Sequence, residues 1–425
     1  RMSPRFKLIA PLAALATALI VAACSEDVQG GSACPLLCPQ DQPPLQEVIL
    51  DAITYDTSIA SFPDIGVEPT LILAHAGDTL DARIITRYDT LPTKYTFSGN
   101  DSTITHLDSA WIQAVRVPGD SVVKRIEDSA TIEVYDVTGA GNDTTAATLN
   151  AQFIPANKIG SLGLKAGDNP DTLRIPVDTN HVLARIQDST HKMRVGVRLV
   201  STGSAELRLI SQNLNQGLRL QIKPNMDTSV HTIDVGPSSD YPTALDNLRG
   251  ALMDFGYVAS GRAMPAATLR VGGLPSRRVL LKFKVPAAIV DSSAVIRATL
   301  FMTQRRAPVA NGGDTIMMRP AVVLSSSLIT NPHLALEFAG VQAQFPTDSV
   351  RLVPKDSGLR KIDVVQIVRS WRGQDTVKTP RAIALVLDGE GTQAAGIDFF
   401  SIEAPVGVRP QLRITYATKP SSGRP

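Results

Sequence analysis

An ordered series of short blocks occurs twice along the chain, and it constrains the fold more than any other feature. Arg83-Ile84-Ile85-Thr86-Arg87-Tyr88 is matched by Arg278-Val279-Leu280-Leu281-Lys282-Phe283: an arginine, two aliphatics, a spacer, a base and an aromatic. Ser109-Ala110-Trp111-Ile112-Gln113-Ala114 is matched by Ser293-Ala294-Val295-Ile296-Arg297-Ala298, identical at four of six positions. Leu173-Arg174 then matches Leu359-Arg360. Asp188 stands six residues before the apolar run 194–200, as Asp375 stands six before the run 381–387. Both copies close on a Leu-Arg-aliphatic strand, at Leu218-Arg219-Leu220 and Leu412-Arg413-Ile414. Ser129-Ala130-Thr131-Ile132 also echoes the second block, so the kept order identifies the repeat rather than any one block.

The blocks are strand-like. Short Val/Ile/Leu/Thr-rich runs at 47–50, 83–88, 131–137, 193–200, 207–210, 218–222, 279–283, 295–302, 382–387 and 412–416 mostly alternate apolar with polar, the pattern of half-buried strands. Asp-Thr pairs between them, as at Asp78-Thr79, Asp171-Thr172, Asp314-Thr315 and Asp375-Thr376, favour turns by bonding nearby backbone. Many short strands with frequent turns indicate an all-β chain built as two tandem antiparallel β-sandwich domains. The first is expected over 46–224 and the second over 225–418, with a disordered tail at 419–425. Each copy carries one helix candidate. In the first, Asp178 precedes Val182, Leu183 and Ile186; in the second, Asp363 precedes Val365, Val368 and Trp371, with Gln366 at capping-box spacing.

The amino-terminal segment has a separate character. Arg1, Arg5 and Lys7 precede an apolar run over 8–23 that is broken only by Pro11 and Thr17. The run is shorter than the roughly 20 residues of a spanning helix. A basic start, a short apolar stretch and small residues before a break describe a signal peptide over 1–23, the alternative being an amino-terminal membrane helix. Val21-Ala22-Ala23-Cys24 resembles the lipobox of bacterial lipoproteins, which implies acylation of Cys24. Ser25, where an aspartate would imply retention at the inner membrane, implies the outer membrane of a Gram-negative bacterium. The net charge is +2, and the leader holds three bases and no acid, so the remainder is −1. No basic cluster suits phosphates, and nucleic acid is not an expected partner. Residues 24–45 read as a lipidated tether rich in Gly, Ser, Pro, Gln and Asp. Cys34 and Cys38 within it read as a small disulfide loop in an oxidising compartment, or as two free thiols.

The second copy also resembles the DNRLRE-domain family of exported bacterial proteins. The resemblance runs from Thr268-Leu269-Arg270-Val271-Gly272-Gly273 through the strand ending at Phe283, the strand at 293–300 and the segment 362–371. It continues through Phe399-Phe400-Ser401-Ile402-Glu403-Ala404 and closes on Pro410-Gln411-Leu412-Arg413-Ile414-Thr415-Tyr416. The signature that names the family is missing, its nearest stretch being Asp254-Phe255-Gly256-Tyr257. The resemblance implies a β-sandwich or jelly-roll module, in some members a carbohydrate-binding one, and no ligand site is carried over from it.

No catalytic set is expected. His75, His106, His181, His191, His231 and His333 lack metal-ligand spacing, and neither a Gly-x-Ser-x-Gly elbow nor a P-loop occurs. Asp388, Glu390 and Asp398 could form a glycosidase carboxylate pair, but Asp388-Gly389 reads first as a hairpin turn. The acidic glycine-rich loops at 139–143 and 311–314 read as turns rather than calcium sites. Trp111 and Trp371 sit at core-like positions, leaving Tyr55, Tyr95, Tyr241 and Tyr257 as candidate exposed rings. No metal or cofactor is expected. The expected function is that of a non-catalytic scaffold or adhesive lipoprotein in an envelope assembly; the alternative is a polysaccharide-binding protein.

Overall fold

The computed structural model describes residues 45–60, 70–117, 129–143, 145–165, 168, 170–224, 230–238, 255–261, 263–306, 315–323, 348–373, 376, 381–391 and 393–418. Cys24, Cys34 and Cys38, the signal peptide and the tail at 419–425 lie outside them. The protein is mostly β, with several antiparallel sheets and few helices. Among the described residues no helix is long and apolar enough to cross a membrane.

The strands in chain order are β1 (Leu45–Leu50), β2 (Ile53–Ala60), β3 (Thr70–Ala76), β4 (Leu80–Tyr88), β5 (Lys94–Phe97), β6 (Asn100–Thr103), β7 (Ser109–Val115) and β8 (Ser129–Asp136). Then come β9 (Lys158–Lys165), β10 (Thr172–Pro176), β11 (Met193–Ser201), β12 (Ser204–Ile210), β13 (Arg219–Lys223), β14 (Ile233–Val235), β15 (Phe255–Ser260) and β16 (Thr268–Gly272). The last are β17 (Arg277–Phe283), β18 (Ser293–Arg305), β19 (Ile316–Val322), β20 (Val350–Leu352), β21 (Gly358–Asp363), β22 (Ala382–Leu387), β23 (Gly396–Phe400) and β24 (Gln411–Thr418). The helices are α1 (Ala146–Asn150), α2 (Thr179–Gln187), α3 (Ala287–Val290) and α4 (Val365–Ser370). The two expected helices are α2 and α4, and α1 and α3 are additional short turns of helix. Asp178 caps α2 by accepting from the N–H groups of Asn180 and His181. At α4 the Asp363 carboxylate accepts instead from Val365 N–H at 2.8 Å, without the capping box that Gln366 suggested.

One pair of sheets encloses a core. The seven-stranded sheet runs β12-β3-β4-β11-β8-β9, with β15 on β4, and the four-stranded sheet runs β10-β7-β13-β14. Leu73, Ile84, Ile132 and Val197 from the first meet Ile112, Ile175, Leu220 and Ile222 from the second. A second pair encloses another: β1-β24-β18-β23-β16, with β21 on β18, faces β2-β17-β22-β19-β20. There Leu300, Phe399 and Leu412 meet Val279, Leu281, Ile383 and Leu385. The pairing scheme repeats as the blocks do. β4–β11–β8–β9 corresponds to β17–β22–β19–β20, and β10–β7–β13 corresponds to β21–β18–β24.

Pairing crosses the boundary expected between residues 224 and 225. β1 pairs with β24 and β2 with β17, so residues 45–60 complete the sheets of the second copy. β14 pairs with β13 and β15 with β4, so residues 233–235 and 255–260 complete those of the first. Side chains fix the choice. Tyr257 on β15 donates to Asn150 Oδ1 at 2.8 Å and lies beside Arg83, whereas on β2 Ser58 Oγ accepts from Arg270 N–H at 2.7 Å.

Candidate functional site

Strict alternation along β7 sends Ala110, Ile112 and Ala114 into the core and Trp111 and Gln113 to the outer face of the four-stranded sheet. Cross-strand register then places Pro176, Trp111, Gln221 and Asp234 in one row. Three strand spacings make that row about 14 Å long. Arg174, Gln113 and Arg219 form the row beside it. The Arg174 guanidinium stands 6.0 Å from the Trp111 ring centre, and the Trp111 indole N–H has no hydrogen-bond partner. Asp234 accepts from Arg219 Nε at 2.7 Å and from Gln221 Nε2 at 2.5 Å. The face combines a half-buried ring with amide, carboxylate and guanidinium groups held in fixed positions. Trp111 is therefore not in the core, where its repeat position suggested it would be; Trp371 is, at 1% exposure and with its ring centre 5.3 Å from that of Phe283.

An open groove of about 370 Å³ lies at the β14 edge of this sheet, lined by Lys94, Tyr95, Thr96, Asp101, His231 and Thr232, among others. The β5–β6 hairpin builds one wall. Its turn residues Ser98 and Gly99 both have positive φ, 49° and 81°, the geometry of a two-residue hairpin turn. Tyr95 packs its ring against the core from the groove side. Of the other ring candidates, Tyr55 is 36% exposed, Tyr257 is tied into the Arg83 cluster, and Tyr241 lies outside the described residues.

The three carboxylates considered for hydrolysis are not brought together. Asp398 makes a two-bond ion pair with Arg270 at 2.7 and 2.9 Å, both side chains being buried. Glu390 makes a three-contact pair with Arg278 at 2.6–3.0 Å. Asp388 meets Arg319 at 3.0 Å and Ser349 at 2.9 Å. In the loop at 139–143 the Asp143 carboxylate accepts from Thr145 N–H and the Thr148 hydroxyl, which is turn chemistry. The loop at 311–314 and His333 lie outside the described residues. Among the described residues no group of three or more His, Cys, Asp or Glu is placed to hold a metal.

Two acidic centres were not legible in the sequence. At the end of β8, burial pushes the Asp136 carboxyl up. His181 Nε2 at 2.5 Å, Thr138 and Arg185 outweigh it and hold the group well below the usual carboxylate range. His181 and Arg185 are four apart on α2 and so share a face, but nothing in the sequence joins that face to β8.

The second centre is Asp56. A bulge at Thr54 shifts the register so that Asp56 lies opposite the inward-facing Leu281. Burial pushes its carboxyl up to about 6, opposed by Ile402 N–H at 2.8 Å and reinforced by Glu403. The Glu403 carboxylate in turn accepts from the Ser401 hydroxyl. Folding thus disfavours the charged form of Asp56. The cost is absent below its ordinary value of 3.8, grows as pH rises to about 6 and is complete above that. Asp56→Asn, which keeps the acceptor and removes the charge, is expected to stabilise the protein by about 1–2 kcal/mol at pH 8 after allowance for partial exposure. Urea midpoints at pH 8 and pH 3.5 check it: the gain should vanish at the lower pH, and a gain equal at both would place its cause elsewhere.

No family model matches the chain, and no curated protein matches it. Among solved structures, the VP2 subviral particle of infectious bursal disease virus aligns over 90% of this chain and 81% of that one, at 9% identity and a TM-score of 0.11. A peptide-N(4)-(N-acetyl-β-D-glucosaminyl) asparagine amidase aligns over 86% and 96%, at 8% identity and a TM-score of 0.12. At such TM-scores neither likeness bears on what this chain is or does.

Proposed function

We propose that the chain is an exported lipoprotein, acylated on Cys24 and held at the outer membrane of a Gram-negative bacterium. Its two tandem jelly-roll-like sandwich domains act there as a non-catalytic scaffold in an envelope assembly. The observation that carries this reading is the place of β1. It is the first strand after the anchor segment, and it is sewn onto β24 along six residue pairs. A pull from the membrane therefore enters the fold through a strand ladder rather than through a loose end. In this reading residues 24–45 are the lipidated tether, in which Cys34 and Cys38 form a small disulfide loop or stay as two free thiols. Cys24→Ser is expected to leave the leader uncleaved and the protein without acyl label, read by metabolic labelling with a fatty acid. Normal labelling of that variant would remove the anchor from the reading.

The outer face carrying Trp111 favours a second reading, a polysaccharide-binding protein. A sugar ring stacks on an exposed aromatic face, and fixed amide and charged groups set its orientation. Co-sedimentation of the mature protein with insoluble glycans tests it. Retention should fall about tenfold or more in Trp111→Ala, the loss of one aromatic stack. Retention of both proteins alike, or of neither, would count against this face as the binding surface.

A further inference from the structure

The structure assigns β1–β2 a role that its place in the sequence does not suggest: it is a detachable two-strand donor. We propose that copies of this chain link head to tail by exchanging it. Each pair of packed sheets is completed by two strands, one at the end of one sheet and one on the arginine-bearing strand of the other. In the first copy β14 adds to β13 and β15 adds to β4. Of these, β14 completes the strand just before it in sequence, whereas β15 reaches back to β4. In the second copy the same places, on β24 and β17, are taken by β1 and β2. Here donor and acceptor are far apart along the chain. The pairs Val48↔Ile414 and Thr57↔Leu280 join residues separated by most of its length.

Three features make this pair exchangeable. First, both strands of the donor lie at the ends of their sheets. Among the described residues β1 pairs with β24 alone and β2 with β17 alone. Second, the contacts made in cis and in trans are the same. Asp56 meets Ile402 N–H and Ser58 meets Arg270 N–H whichever copy supplies them. The choice between the two therefore depends on relative concentration and on folding order, not on new interactions. Third, the order of synthesis favours trans. β1–β2 emerges well before β17 and long before β24, an interval of about 10–70 s at ordinary elongation rates. A donor waiting that long meets the open slot of a neighbouring copy before its own exists. Exchange passed from copy to copy builds chains or closes into rings, the smallest of which is the reciprocal pair. Each copy's anchor segment would then be clamped into its neighbour. The proposal deepens the assembly reading above by naming the partner as a second copy, and it does not require the lipid.

The test uses full-length chains in which Cys24, Cys34 and Cys38 are replaced by serine, so that acylation plays no part and a failed anchor reading leaves the result intact. One chain carries Glu47→Cys and another Thr415→Cys, positions directly opposite each other across β1 and β24. The two are unfolded, mixed, refolded over a range of concentrations and oxidised. A disulfide-linked heterodimer is expected, exceeding by about tenfold the yield from Glu47→Cys with Lys361→Cys, an exposed control on β21, and rising with concentration. The double variant in one chain should give a ladder on a non-reducing gel. Deleting residues 63–66, which shortens the connection from β2 to β3, should raise the heterodimer further, because a shortened hinge opposes closure in cis. Heterodimer no greater than the control at every concentration, with the double variant crosslinking only within its own chain, would overturn the proposal. Sedimentation velocity of the unmutated refolded chain gives an independent reading: exchanged assemblies should appear above the monomer, and a monomer alone at the highest concentration also overturns it.

Discussion

Asp398→Ala is expected to destabilise the protein by about 3–5 kcal/mol, the cost of leaving a buried guanidinium without its counter-charge. Asp398 and Arg270 lie directly opposite each other on β23 and β16, at 2% and 7% exposure. Their two bonds of 2.7 and 2.9 Å have the fork geometry that fits a carboxylate to an arginine. Arg305 is also opposite Asp398 in register, and Arg277 lies close enough to Arg270 for burial and that second charge to lower its own pKa. Asp398 is thus the acid in a basic neighbourhood, and its removal exposes repulsion as well as desolvation. The pair itself contributes less than its breakage costs. Replacing both partners together, Arg270→Met with Asp398→Leu, is expected to return stability to within about 1 kcal/mol of the parent. Urea unfolding followed by far-ultraviolet circular dichroism separates the two outcomes. A single variant costing under 1 kcal/mol would show that water reaches the pair.

The same residue shows how far the sequence could be read. Asp398 invited a hydrolytic reading because it stands near Asp388 and Glu390, yet nothing local reveals that each of the three has its own arginine on another strand. The strand blocks were legible because period-two alternation is a local signal, and each of the runs singled out at 83–88, 193–200, 279–283 and 382–387 falls within β4, β11, β17 or β22. The ordered repeat was legible as a series of blocks, and the strands carrying matched blocks pair alike in the two copies. The donors of the two copies were not legible. β1 and β2 sit in sequence beside β3, and only cross-strand contacts such as Ser58 to Arg270 reveal where they belong. Side-chain phase failed for a related reason. Leu173 is 1% exposed and its repeat partner Leu359 is 57% exposed, because matched letters do not guarantee matched faces. A bulge displaces every later side chain by one face, and a sequence pattern carries no mark of it.

The two tryptophans put that failure to an energetic test. Trp371→Ala is expected to cost about 3–5 kcal/mol, the range for emptying a buried aromatic site. Trp371 caps α4, is 1% exposed and meets Phe283, the aromatic that ends β17. Its counterpart in the first copy is not Trp111. The first copy matches Phe283 with Tyr88, which ends β4, fully buried, its hydroxyl donating to Leu218 O at 2.7 Å. Trp111 instead aligns in sequence with Val295, and the two face opposite ways. Val295 points into the core because the β18 register shifts at Ile296, which is left 40% exposed where Ile112 is fully buried. Trp111→Ala therefore removes a half-buried outer ring and an unpartnered indole N–H, and is expected to cost less than about 1 kcal/mol. Denaturation midpoints of the two variants measured side by side decide the point. Equal losses would mean that Trp111 supports the fold as much as Trp371 does. A large loss at Trp371 with little at Trp111 leaves a costly aromatic surface that the fold does not need, which is the condition a binding face has to meet.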